Sequence, residues 1–176
     1  MNKIFALTAI SALAILLSAC FSDNDLYDPK KQLEDDIQVL QEYFAANNIT
    51  AQFHNKGLFY VIHEPGAGNI PTAGNILRVN YTGKLLNGLV FDTSYEQVAR
   101  TAQIFNPSRA YVPFEFRYQT GAVIEGWDIG FQYLKENGRA TFYVPSPLAY
   151  GAYSPGGLIP DRGILIFDVH LISVRP

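Results

Sequence analysis

The 176-residue chain is 48% hydrophobic and only 16% charged, so it can bury a core and is not a disordered tail. Its 13 Lys+Arg against 16 Asp+Glu give a formal charge of −3, without the basic excess that DNA or RNA asks of a partner. A single cysteine excludes an intrachain disulfide framework, a CxxC redox pair and any multi-cysteine zinc or iron–sulfur site, while 14% aromatics point to a strand-rich core or an aromatic-lined pocket.

Residues 1–19 read as a secretory signal: a basic start at Lys3, then an apolar run from Ile4 to Leu17, shorter than the roughly 20 residues a bilayer-crossing helix needs. The run ends in Leu17-Ser18-Ala19-Cys20, which resembles the lipobox of bacterial lipoproteins. That resemblance implies cleavage before Cys20 and lipid on its sulfur, so the chain would be held to a membrane by lipid. Residues 20–27 then form a short polar, acidic tether. Phe21 stands where an inner-membrane retention Asp would often follow the cysteine. An exported lipoprotein of the outer membrane, at its periplasmic face or on the cell surface, is therefore expected.

A helical extension is expected over residues 28–56. Asp28 suits an N-cap, Pro29 the first helical turn, and Leu33, Ile37, Leu40 and Phe44 recur at helical spacing up to a stop near Asn47-Asn48. This stripe suits packing on the domain that follows; a homodimer through residues 28–47 is the alternative. Residues 57–176 read as short strands divided by Gly and Pro: Leu58–His63, Ile76–Thr82, Val112–Tyr118, a strand carrying Ala140, Phe142 and Val144, and a last one carrying Leu165, Phe167, Val169 and Leu171. In the third, Val112, Phe114, Phe116 and Tyr118 fall on one face. Between these strands, about Gly126 to Leu134, a short helix presents Trp127, Phe131 and Leu134 and stops at Asn137-Gly138. Antiparallel strands with one helix on their face predict an α+β domain.

The chemistry that is missing narrows the function. His54, His63 and His170 lack any metal-ligand spacing, there is no GxSxG or GxxxxGK[ST], and the only cysteine is taken by the lipobox, so neither a metal site nor a cofactor is expected. Any reaction here needs little acid–base work.

Five fragments in order, Val79-Asn80-Tyr81-Thr82-Gly83, Gly88 to Ser94 with Phe91-Asp92, Gly121 to Trp127, Pro145 to Gly151 with Tyr150, and Phe167-Asp168-Val169, resemble the FKBP-type peptidyl-prolyl cis–trans isomerases over about residues 74–174. The resemblance implies a curved antiparallel sheet wrapped around one short helix, and catalysis of X-Pro bond rotation in proline-containing unfolded or extended polypeptides. A non-catalytic chaperone or peptide-binding module using the same pocket is the alternative. Macrolide inhibitors of the family are implied as ligands.

Position by position, the resemblance puts Trp127 under the prolyl ring, with Tyr81, Phe91, Phe114, Val123, Ile124, Phe167 and Ile159 as walls. It makes the Tyr150 hydroxyl and the Ile124 N–H donors to substrate carbonyls, and Asp92, held by Tyr81, the carboxylate beside the twisting bond. The chain departs from the pattern in an insertion around Glu96 to Tyr111, at the pocket rim. It contains both Arg100 and Arg109, and either could be the arginine that pairs with Asp92. Pro155 is a second departure, in the loop after Tyr150.

Overall fold

A computed structural model describes residues 27–176. The signal segment, Cys20 and the tether as far as residue 26 lie outside the described residues. Among those described, no helix is long and apolar enough to cross a membrane.

Helix α1 (Pro29–Asn47) starts and stops where the sequence says it should. Asp28 accepts from the N–H groups of Lys30 and Lys31, and Asn48 closes the helix in the left-handed region, its N–H donating to the Phe44 carbonyl. Seven strands follow: β1 (Gln52–Phe53), β2 (Phe59–Glu64), β3 (Ile76–Leu85), β4 (Val90–Thr93), β5 (Phe114–Arg117), β6 (Arg139–Val144) and β7 (Leu165–Arg175). Two short helices interrupt them, α2 (Glu96–Thr101) and α3 (Glu125–Gly130), the latter running into a 3-10 turn at Phe131–Tyr133. All strand pairs are antiparallel in the order β1-β2-β6-β7-β3-β4. One edge of β3 serves two partners: β5 pairs with Ile76–Val79 and β4 with Thr82–Lys84. The expected α+β architecture, an antiparallel sheet around one short helix with an N-terminal helical extension, is what the chain forms.

Period-2 alternation divides the sheet's side chains between two faces. On one face Leu77, Val79, Phe142, Val144, Phe167 and Val169 join Trp127 and Phe131 of the α3 segment in the main core. Close approach of α3 depends on two glycines. A Cβ at Gly126 would meet the Val144 side chain at 2.4 Å, and one at Gly130 would meet the Phe142 ring at 2.6 Å. On the opposite face Phe59, Tyr143 and Ile166 are covered by Leu40 and Phe44 of α1. β6 is consequently buried on both sides, where alternation alone predicts a half-buried strand. The apolar stripe of α1 is thus used on its own domain, Leu33 lying over Gly57 and Ile37 beside the Leu40 cluster.

Three features depart from the pattern expected of the sequence. β1 and β4 are only two and four residues long, too short for alternation to show. The insertion contains α2, closed by the i,i+4 pair Glu96–Arg100. Val112, placed on the inward face by alternation, is 60% exposed, because β5 begins only at Phe114.

Candidate active site

At the edge of the main core the α3 face opens into a cavity of about 270 Å³ lined by Tyr81, Phe91, Asp92, Phe114, Ala122, Val123, Ile124, Trp127, Tyr150 and Phe167. Nine of these ten side chains are residues the sequence resemblance picked out. They arrive from β3, β4, β5, β7, the start of α3 and the loop after the 3-10 turn Ser146–Leu148. Trp127, 4% exposed, is the floor. Its ring meets Phe167 and Tyr81 edge-on, with centroids 5.2 and 5.3 Å apart, and meets Phe114, Phe116 and Phe131 at 5.4–6.2 Å. Phe91 stands edge-on to Phe167 at 5.6 Å. Edge-to-face contacts of this kind hold each ring in one orientation, so the walls are pre-shaped.

One charged group lies in this apolar wall. Asp92 Oδ2 accepts from the Tyr81 hydroxyl at 2.5 Å, and Oδ1 accepts from Arg109 Nη1 and from the Thr93 N–H. Arg109 Nη2 also donates to the Tyr81 hydroxyl at 3.2 Å, closing a three-residue ring. Burial, then the bond to Asp92, pushes the Tyr81 hydroxyl well above the ordinary tyrosine range. It therefore stays protonated and keeps donating to the carboxylate.

Arg109 comes from the insertion, and the insertion is built to present it. Arg100 pairs with Glu96 and stacks on Phe105, its guanidinium carbon 3.5 Å from the ring centroid. Phe105 stacks on Tyr111 at 5.5 Å, and the Tyr111 hydroxyl accepts from the Asn106 N–H. The loop between these two rings carries Arg109, its guanidinium 5.3 Å from the Tyr111 ring. Of the two arginines left open by the sequence, Arg109 is therefore the partner of Asp92. Arg100 braces the loop.

Three polar groups at the cavity are left without a partner among the described residues. The Trp127 indole N–H is buried with no acceptor. Tyr150, 44% exposed, has no hydrogen bond from its hydroxyl; burial and then the Asp92 charge raise its pKa above 10.0. The Ile124 N–H sits just ahead of α3, whose first bonds run from Trp127 and Asp128 to the Ile124 carbonyl. Buried or half-buried donors are normally paired, so donors left over at a concave apolar surface suit carbonyl oxygens of a ligand.

Ile159 is not among the described residues that line the cavity. Ser154 Oγ donates to its carbonyl and the Arg162 N–H donates to the Gly151 carbonyl, so the loop folds back and Ile159 enters the main core at 9% exposure. Its neighbour Leu158 is the exposed one. Cys20, the candidate lipid site, lies outside the described residues. No cluster of three or more metal-ligating side chains occurs among the described residues. His63 bonds Thr141 Oγ1, and burial lowers the His170 pKa.

Asp36 carries no sequence signal of its role. It is 3% exposed in the charged helix α1, and its carboxylate accepts from both the N–H and the hydroxyl of Ser146 at 2.6 and 2.7 Å, and from Gln32 Nε2. Ser146 begins the turn that leads to Tyr150. No local pattern signals a partner 110 residues away.

The profile of the family described as FKBP-type peptidyl-prolyl cis-trans isomerase matches residues 68–172. A probable FKBP-type peptidyl-prolyl cis-trans isomerase of Haemophilus influenzae is 38% identical over 120 residues, which cover 68% of this chain and 44% of that one. An FK506-binding protein of Neisseria meningitidis is 36% identical over 118 residues, covering 67% of this chain and 96% of that one. Among solved structures, FkpA from Escherichia coli aligns with a TM-score of 0.65 and 31% identity over 84% of this chain and 63% of that chain. The chain spans about half the length of the longer curated relatives it matches.

Proposed function

The chain belongs to the FKBP-type peptidyl-prolyl cis-trans isomerase family, and on that premise we propose that its cavity catalyses rotation about X-Pro bonds in unfolded or extended polypeptides. The observation that carries this reading is the apolar bowl floored by Trp127, with the Tyr81–Asp92–Arg109 ring in its wall and the donors of Tyr150 and Ile124 unclaimed at its rim.

The reaction must overcome a barrier of about 18–20 kcal/mol set by amide resonance. The planar amide draws charge onto its carbonyl oxygen, whereas the twisted amide is less polar. A water-poor wall of Phe91, Phe114, Trp127 and Phe167 thus disfavours the planar state relative to the twisted one. Tyr150 and the Ile124 N–H hold the neighbouring carbonyls, which fixes the chain on either side while one bond turns. Asp92, oriented by Tyr81 and neutralised by Arg109, places its carboxylate beside the rotating group. No proton changes hands in this scheme, in keeping with a site where Tyr81 and Tyr150 both hold their protons more tightly than an ordinary tyrosine.

A protease-coupled assay on a proline tetrapeptide tests the proposal. The wild-type chain should accelerate the cis-to-trans phase above the buffer rate, and a rate equal to buffer would sink the enzyme reading and leave the peptide-binding one. The printed name of the N. meningitidis relative, an FK506-binding protein, supports a macrolide of that kind as a competitor for the same bowl.

The cellular setting is proposed from residues 1–26 alone. Lipid on Cys20 would anchor a folding catalyst for exported proteins at the outer membrane, with the tether setting its reach. A Cys20→Ser chain recovered with the soluble rather than the membrane fraction supports this, and unchanged fractionation contradicts it.

A further inference from the structure

Beside the bowl lies a second, larger cavity of about 890 Å³, between the tip of the β3–β4 hairpin, helix α2 and the loop after Tyr150. The same three segments bound both cavities. β4 gives Phe91 and Asp92 to the bowl and Val90 to the groove. The insertion gives Arg109 to Asp92, and Val98 and Ile104 to the groove. The third, the loop after Tyr150, gives Tyr150 to the bowl and Leu158 to the groove. The groove exists because of the insertion, since one of its walls is α2 and the turn that follows.

We propose that this groove is an extended subsite of the isomerase cavity, holding residues of the same polypeptide several positions away from the proline. This inference rests on the reading of the bowl as an X-Pro site. Its lining says what kind of chain fits. Leu89 and Leu158 are 41% and 47% exposed, large apolar surfaces that the described residues leave uncovered. Asn87, Gln97 and Gln103 supply side-chain amides, and among the described residues no charged one lines the groove. Apolar contact area with amide donors and acceptors between suits an extended, uncharged polypeptide, whose backbone groups need partners and whose apolar side chains need cover. A folded globular partner or an ionic ligand finds neither a flat face nor a charge there. Proline in an unfolded chain always comes with flanking residues, so whatever enters the bowl presents such a segment at its rim.

In this proposal the groove holds ground and transition states alike, and contacts of that kind lower KM and leave kcat unchanged. The test compares a proline tetrapeptide with two peptides that extend it by six uncharged, apolar-rich residues, one on the amino side and one on the carboxyl side. These are assayed with the full-length chain and with its Leu89→Glu, Gln97→Glu double variant, both sites being exposed and outside the bowl. For the wild type, one of the extended peptides should show a KM lower by about tenfold, equivalent to about 1.4 kcal/mol, at the same kcat. The double variant should lose that gain while turning over the tetrapeptide within about twofold of wild type. Equal KM for all three peptides in the wild type, or an extension gain that survives the double variant, overturns the subsite. No wild-type rate on the tetrapeptide overturns the isomerase reading itself, and the subsite with it.

Discussion

The two faces of the sheet carry aromatic clusters of the same kind and use them to opposite ends. On the α1 face, Phe44 meets Phe59 and Tyr143 with ring centroids 5.1 and 4.8 Å apart. On the α3 face, Trp127 meets Phe167 and Tyr81 at 5.2 and 5.3 Å. Ring geometry does not separate a core from a site. The polar groups do. The buried charge of the α1 face, Asp36, is met by two donors of Ser146 and one of Gln32. The α3 face keeps an indole N–H, a tyrosine hydroxyl and a backbone N–H without partners among the described residues, at a concave surface. One face is a finished interior, and the other leaves donors open at a concave surface.

The contrast can be broken most forcefully on the closed face. Phe44→Ala should cost about 3–5 kcal/mol of stability, the usual range for removing a packed Phe, while kcat/KM per folded molecule stays as in the wild type. Denaturant melts paired with the isomerase assay would show it; a rate loss beyond the unfolded fraction would mean the faces are coupled.

Asp36→Ala comes next. It strands the Ser146 N–H and hydroxyl in a buried position, at a cost of about 1–3 kcal/mol. Ser146 opens the turn leading to Tyr150, so this variant also sharpens the comparison: Asp36→Asn, which can still accept from Ser146, should recover most of the stability. An Asp36→Ala melt matching wild type would show the contact to be idle.

On the open face the order reverses, with activity moving and stability hardly moving. The Arg109 and Asp92 side chains are 41% and 34% exposed, so their ion pair contributes only about 0–1 kcal/mol to stability. Arg109→Leu should nevertheless lower kcat/KM by roughly fivefold, about 1 kcal/mol of transition-state positioning. Arg100→Leu should do less, since Arg100 reaches Asp92 only through the loop it braces. Equal effects would return the choice between the two arginines to where the sequence left it.

Tyr150→Phe is the smallest change, one hydroxyl at a half-exposed rim, with a few-fold loss in kcat/KM expected from one missing hydrogen bond of about 1 kcal/mol. The pH profile follows from the sign of its shift. Burial and the nearby Asp92 disfavour the phenolate, so the pKa lies above 10.0 and the donor form persists throughout the neutral and mildly alkaline range. kcat/KM should therefore stay flat from neutrality to about pH 9. A decline with a midpoint below 10 that Tyr150→Phe abolishes would contradict the assigned state of this hydroxyl.

Much of this was legible in the residue order, for identifiable reasons. Strands of six or more residues with alternating faces, and a 19-residue helix with a stripe and two caps, carry enough period to be read. β4, four residues long, and α2, six, do not. The bowl was legible because five fragments carry all of its lining but Phe114, whereas the hydrogen bonds of the loop that holds Ile159 are invisible to a motif. Asp36 looks like any acid on a charged helix until Ser146 is folded beside it. The choice of Arg109 needed the Phe105–Tyr111 stack, a contact within the insertion that no fragment covers.

The central claim is that the α3 face alone performs the reaction, and one paired measurement addresses it: kcat/KM per folded molecule on a proline tetrapeptide for Trp127→Ala and Leu40→Ala, each beside wild type. Both substitutions empty a buried aromatic cluster, one on each face. Trp127→Ala should lose at least about tenfold, more than 1.4 kcal/mol of transition-state stabilisation, with Leu40→Ala unchanged. Equal losses, or a Trp127→Ala rate matching wild type, would contradict it.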